Sequence, residues 1–218
     1  MTRLLHGPGQ APARPIRVPF VFGTLGPRGE AVARELGQGV LTVRPTPGFV
    51  WSTLLIHGTV LEPGEAFEAP RVLAAAGAGA AVALHRAYEF RNVPGLDPGP
   101  LLGARQWQAA IEAIPERERH LVTHEGHLTF LNAIDRSVIT GDLIRTRTFT
   151  GEAAALRERL GQLAGQGVTE IAFQPKGPRY PSRARRLRPD GRPCLSGSAS
   201  VNQLRVHHYS ERALRPRP

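Results

Sequence analysis

The chain has 218 residues, is 41% hydrophobic and carries a net charge of +10, enough material for one buried core. Cys194 is the lone cysteine, which excludes an internal disulfide, and no Cys/His group has zinc-finger spacing. No apolar run reaches the ~20 residues of a membrane span and the first 15 residues lack a secretory core, so a cytoplasmic location is expected.

The charge is unevenly placed. Residues 1–175 hold 17 Arg against 16 Asp or Glu, whereas residues 176–218 hold 11 Lys or Arg against Asp190 and Glu211. The basicity therefore belongs to a tail rich in Pro, Gly, Ser and Arg, for which disorder is expected. Its two aromatic residues, Tyr180 and Tyr209, make no stacking platform beside a nearly neutral body, so nucleic acid is not an expected partner.

Residues 1–15 read as an N-terminal extension. Ile16 to Thr24, IRVPFVFGT, then gives a compact β-rich run. Gly23-Thr24-Leu25-Gly26-Pro27 turns the chain into a helix predicted over Arg28 to Leu36, with Pro27 at the position a helix start tolerates best. Gly37 and Gly39 end that helix, and Val40 to Val43 supply the next strand, completing a βαβ unit. Thr53 to Leu61 reads as a third strand. An Ala-rich helix follows from about Pro70 to Phe90, where Gly77 and Gly79 cost about 1 kcal/mol each against Ala and leave a kink or two abutting helices open. Residues 91–104 are punctuated by Gly and Pro as a loop is, Trp107 to Ile114 is a short helix, and Arg119 to Leu131 is of mixed character.

The clearest pattern is TGEAAALRERLGQLAGQGVTEIAFQP, Thr150 to Pro175. Thr150 suits a helix cap, Glu152 the positive helix end, and Ala153, Leu156, Leu160, Leu163 and Ala164 recur at helical steps. Gly165 and Gly167 stop the helix, and Val168, Ile171, Ala172 and Phe173 form a short apolar run suited to a parallel strand covered on both faces.

Two groups of residues invite a chemical reading. The turn Gly23, Thr24, Leu25, Gly26 places free backbone amides at a helix start, where an anion sits well, but its G-x-x-G-x-x-G spacing is not the dinucleotide fingerprint and fits an ordinary tight turn as well. His124 and His127, in THEGHL, are three residues apart and so do not make the HExxH zinc motif; no metal is expected. Substrate contact or proton handling by either histidine stands beside a structural role. His57 reads as packing, His85 and Tyr88 as one helix face, and Trp51 and Trp107 as core or lid aromatics.

The Thr150 to Pro178 segment resembles the C-terminal α/β unit of luciferase-like flavin-dependent oxidoreductases, which carry TGxxxELRxRLxxLxxxGVTEIxxQPxGP on the last strand of a TIM barrel. GTLGPRGEAVARELGQGV is similar to the same family's GxxGPxGxAxAxELGDGV, and HEGHL to a run found in a subgroup. The resemblance covers residues 6–178, matches the second half of such an enzyme, and stops at Arg179. It implies an α/β fold that is a partial TIM (β/α)8 barrel of about four parallel strands with flanking helices over residues 16–178, followed by the basic tail 179–218. It further implies a flavin- or deazaflavin-dependent monooxygenase or oxidoreductase acting on paired donors and a small organic substrate, with Gly23, Thr24, Leu25 and Gly26 holding the phosphate of FMN or a deazaflavin. Family positions that supply a catalytic histidine have no counterpart here. Half a barrel implies truncation, two open strand edges, and either a partner chain or a homo-oligomer to cover them. A non-catalytic phosphate-binding remnant is the alternative.

Overall fold

A computed structural model describes residues 19–93, 101–174, 199–201 and 204–208. The N-terminal extension, the middle of the 91–104 loop and most of the tail lie outside these residues.

Among the described residues the chain forms one mixed sheet with helices. Strands β1 (Val21–Gly23), β2 (Gly39–Thr42), β3 (Trp51–Ile56) and β4 (Glu170–Phe173) lie side by side in sequence order, each pair parallel. Helix α1 (Pro27–Leu36) crosses between β1 and β2, and Ala33 on its inner face is fully buried with Val40. Between β3 and β4 the chain makes α2 (Pro70–Glu89), α3 (Ala104–Glu112), α4 (Glu116–Thr123), α5 (Ala133–Val138), α6 (Gly141–Arg147) and α7 (Ala153–Gly165).

The sequence periodicity places α1, α2, α7 and β4 within a few residues of their observed ends. α2 is one unbroken helix despite Gly77 and Gly79. Both glycines are buried against neighbours: a Cβ on Gly79 would stand 2.9 Å from the His57 Cβ, and one on Gly77 2.8 Å from a Leu131 methyl. Close approach of other elements, not bending, is what the glycines permit. Thr150, expected to cap α7, is instead spent on a loop contact. Its hydroxyl lies 2.6 Å from that of Thr148 and accepts from the Thr59 amide, while Glu152 occupies the cap position without a side-chain bond. Backbone pairing of His57, Thr59 and Leu61 with Phe149 and Gly151 pulls Thr150 into that place. Gly167 ends the α7 turn at φ +85°, a left-handed conformation that glycine adopts without strain.

Two hydrophobic clusters result. Leu156 and Leu160 of α7 pack on Leu54, Ile171 and Phe173 of the sheet, with Val60, Phe149 and Val168. The larger cluster joins α2, α3, α5 and α6 through Val72, Leu84, Trp107, Ile111, Val138, Leu143 and Ile144. The opposite face of the sheet carries Leu41 and Leu55, with Glu170 held by hydrogen bonds from the Trp51 indole and, at 3.0 Å, the Thr53 hydroxyl.

Part of the tail, for which composition suggests no regular structure, also joins the sheet. β5 (Ala199–Val201) and β6 (Leu204–His208) form an antiparallel hairpin, and β6 runs parallel to β4. Of the two strand edges expected to be open, β4's is therefore paired, because β6 takes up its free amides and carbonyls. The outer edge of β1 has no strand partner among the described residues.

Candidate functional site

The Gly23 to Gly26 turn stands at the carboxyl end of β1 and leads directly into α1, as the sequence suggests. The Thr24 amide donates to the Leu41 carbonyl at 3.2 Å, which fixes the turn to the carboxyl end of β2 as well. Gly26 is the α1 cap residue, extended at φ −168°, and offers no side chain to the first helical amides; Pro27 follows at the first position. The amides of Arg28 and Gly29 therefore point out of the helix start without intrahelical carbonyls, at its positive end. Around the two glycines there is room: a Cβ on Gly23 or Gly26 would meet nothing within 4 Å, whereas one on Gly29 would touch the Thr24 side chain at 3.4 Å. Thr24 is only 5% exposed, yet its hydroxyl has no hydrogen-bond partner. A buried hydroxyl with no partner costs about 1–3 kcal/mol. Leu25 is 53% exposed. The turn has the donors an anion requires, and nothing in it is specific to one anion.

His124 and His127 belong to a different place. His124 caps the C-terminus of α4, and His127 follows in a tight turn where Gly126 and Leu128 take φ of +68° and +60°. The structure brings both against His85 of α2, with ring centroids 6.2 Å and 5.5 Å from it. His85 is buried. Its Nε2 is 3.0 Å from Asp135 Oδ1, which also accepts the Trp107 indole N–H at 2.8 Å, and its Nδ1 is 3.3 Å from His127 Nδ1. Hydrogen bonding to a carboxylate places the His85 proton on Nε2 and turns the Nδ1 lone pair toward His127. Asp135 is itself fixed: Asn132 caps α5 by accepting the Asp135 amide, and donates its own side-chain N–H to the Val122 carbonyl of α4. His124 Nε2 is 2.6 Å from Glu89 Oε1, one turn of α2 beyond His85.

Reading the sequence assigns His85 to a plain helix face and passes over Asp135 and Glu89. The available signals were a histidine on the buried Ala/Leu side of α2 and the H-x-x-x-E step from His85 to Glu89. His57, expected to pack, does so against Gly79. It also borders a cleft of about 360 Å³ between β3, α2 and α7 that Arg86, Arg147 and Arg159 line. The Arg159 guanidinium, 4.5 Å from the Phe149 ring, is held below arginine's usual pKa by burial. Trp107 is core, as one of its two expected roles, and Trp51 supports Glu170. No helix among the described residues is long and apolar enough to cross a membrane.

Compared with protein-family models, with curated proteins and with solved structures, the chain matches none.

Proposed function

We propose that this chain forms part of a luciferase-like oxidoreductase or monooxygenase of the cytoplasm, in which the turn Gly23 to Gly26 seats the phosphate of FMN or a deazaflavin. The observation that carries the reading is the buried Thr24 hydroxyl without a partner, beside free helix-start amides at the carboxyl end of β1. Sequential order of four parallel strands gives further support, since a barrel is wound in that order and binds ligands at the carboxyl ends of its strands. A flavin bound there supplies the hydride chemistry for a small organic substrate. The chain's own part is to hold the phosphate: Arg28 and Gly29 amides donate to its oxygens, the Thr24 hydroxyl adds a donor, and bare Gly23 and Gly26 let the group reach the backbone.

The second reading is a phosphate-binding piece without catalysis of its own, which needs another chain to complete the ring of strands. It draws on the β1 edge, which has no strand partner among the described residues, and on Phe20, Leu41 and Val43, apolar residues 62%, 38% and 48% exposed around β1 and β2. Titration of the chain with FMN and with a deazaflavin, followed by cofactor fluorescence, tests both. Saturable binding that inorganic phosphate competes away supports the seat, and reduction of the bound cofactor favours the enzyme over the remnant. Absence of binding by FMN, deazaflavin and inorganic phosphate alike removes both readings.

A further inference from the structure

We propose that His85, His124 and His127 form a binding site for a divalent transition-metal ion of the zinc and cobalt class, open to solvent on one side. The inference rests on helices α2 to α5 and is independent of the flavin reading.

One ligand atom from each histidine lies within 4.8 Å of the other two, a spacing that small side-chain movements close around an ion. For His85 and His127 the spacing is already suitable. Their Nδ1 atoms are 3.3 Å apart, and two imidazoles bound tetrahedrally at about 2.0–2.1 Å stand about 3.3–3.4 Å from one another. In the absence of an ion the same distance suits a hydrogen bond between the two rings, which holds them ready.

The surroundings of the rings are those a metal-binding imidazole requires. A ligating histidine needs its second nitrogen tied to a carboxylate or carbonyl, which fixes the ring and raises its donor strength. Asp135 does this for His85, and is locked in turn by Trp107 and by the Asn132 cap. Glu89 does it for His124, at 2.6 Å from its Nε2. The two carboxylates also offset the charge of a divalent ion. His127 is presented by a turn containing a non-glycine residue at positive φ, Leu128, and closed by bonds from the Thr129 and Phe130 amides to the Gly126 carbonyl. Such backbone strain persists where the surrounding structure enforces it.

His85 is buried while His124 and His127 are exposed, so the fourth position of a tetrahedral ion faces water. Three histidines and a water are the ligand set of a Lewis-acidic ion rather than of a closed structural one. Donors from α2, the end of α4 and the turn after it do not make a compact sequence motif, which is why HExxH spacing does not reveal the site.

Titration of the chelator-treated full chain with Co²⁺, followed by visible d–d absorption, tests the proposal. One equivalent is expected to bind with the intense bands of four-coordinate cobalt and to be displaced by Zn²⁺. H124Q and H127Q alter exposed side chains, so far-UV circular dichroism is expected to stay unchanged while each weakens Co²⁺ binding at least tenfold. D135N, which disturbs the positioning of His85, is expected to weaken it about 10–100-fold. Absence of those bands, or affinity unaltered in the H124Q/H127Q double variant, overturns the proposal.

Discussion

Leu54, Ile171 and Phe173 are buried beneath Leu156 and Leu160 by hydrocarbon contact, whereas His85 and Asp135 are buried in the helical layer by bonding to each other and to Trp107. Apolar packing is forgiving, because a neighbour can shift into lost volume. A buried polar set is not, since each member removed leaves another without its partner. The sheet region is thus held by area and the helical layer by area plus a few directional bonds, and the two respond differently to substitution.

Trp107→Ala separates them most sharply. It removes a fully buried indole from the larger cluster and the N–H that Asp135 accepts. A loss of about 3–5 kcal/mol is expected in urea unfolding followed by far-UV circular dichroism. Trp107→Phe recovers most of the packing and leaves the polar part. If that variant is as stable as the wild type, the hydrogen bond contributes nothing to the helical layer and the contrast between the regions fails.

Leu156→Ala makes the corresponding change on the sheet side. Leu156 is 1% exposed and packs in the cluster with Leu54, Leu160 and Phe173, and a loss of about 2–4 kcal/mol is expected in the same unfolding experiment. Coincident transitions in the two variants, by circular dichroism and by tryptophan fluorescence, indicate one cooperative unit. Separate transitions indicate that the two clusters fold apart.

What was legible in the sequence follows the same division. α7 and β4 are readable because their apolar positions repeat at 3–4 residues and then run together, and α1 because Pro27 and Gly37 bracket it. α5 and α6 escape notice. They are short, and the residues that start them, Asn132 and Thr140, cap helices too brief to establish a period. The Gly23 to Gly26 turn could be located from its glycines, but the unpartnered Thr24 hydroxyl could not, because it depends on what lies around it. The histidine cluster is the extreme case. His85 and His127 are 42 positions apart, and Asp135 meets His85 across 50, separations over which no local pattern carries information.

A smaller effect distinguishes two glycines of one helix. Adding a methyl at Gly77 meets the end of the Leu131 side chain, which can rotate away, while the gain in helix propensity is about 1 kcal/mol. Gly77→Ala is expected to be neutral or slightly stabilising. At Gly79 the methyl meets the Cβ of His57, which moves only with its backbone, and overpacking outweighs propensity. Gly79→Ala is expected to cost about 1 kcal/mol net, read as a lower denaturation midpoint. Equal behaviour of the two variants contradicts the view that His57 is clamped between β3 and α2.

Gly26→Asp changes stability least and bears most directly on the proposed phosphate seat. The cap residue is already extended and its Cβ position is open, so aspartate fits without movement. Its carboxylate accepts the helix-start amides that glycine leaves free, and stability is expected to rise by a few tenths of a kcal/mol. The same carboxylate occupies the place of an anion and repels it. Binding of FMN and inorganic phosphate is therefore expected to fall at least tenfold while the melting temperature holds or increases. Because stability and binding move in opposite directions, a loss of binding cannot be attributed to unfolding. Unchanged binding in Gly26→Asp would show that phosphate sits elsewhere, and would turn attention to the cleft lined by Arg86, Arg147 and Arg159.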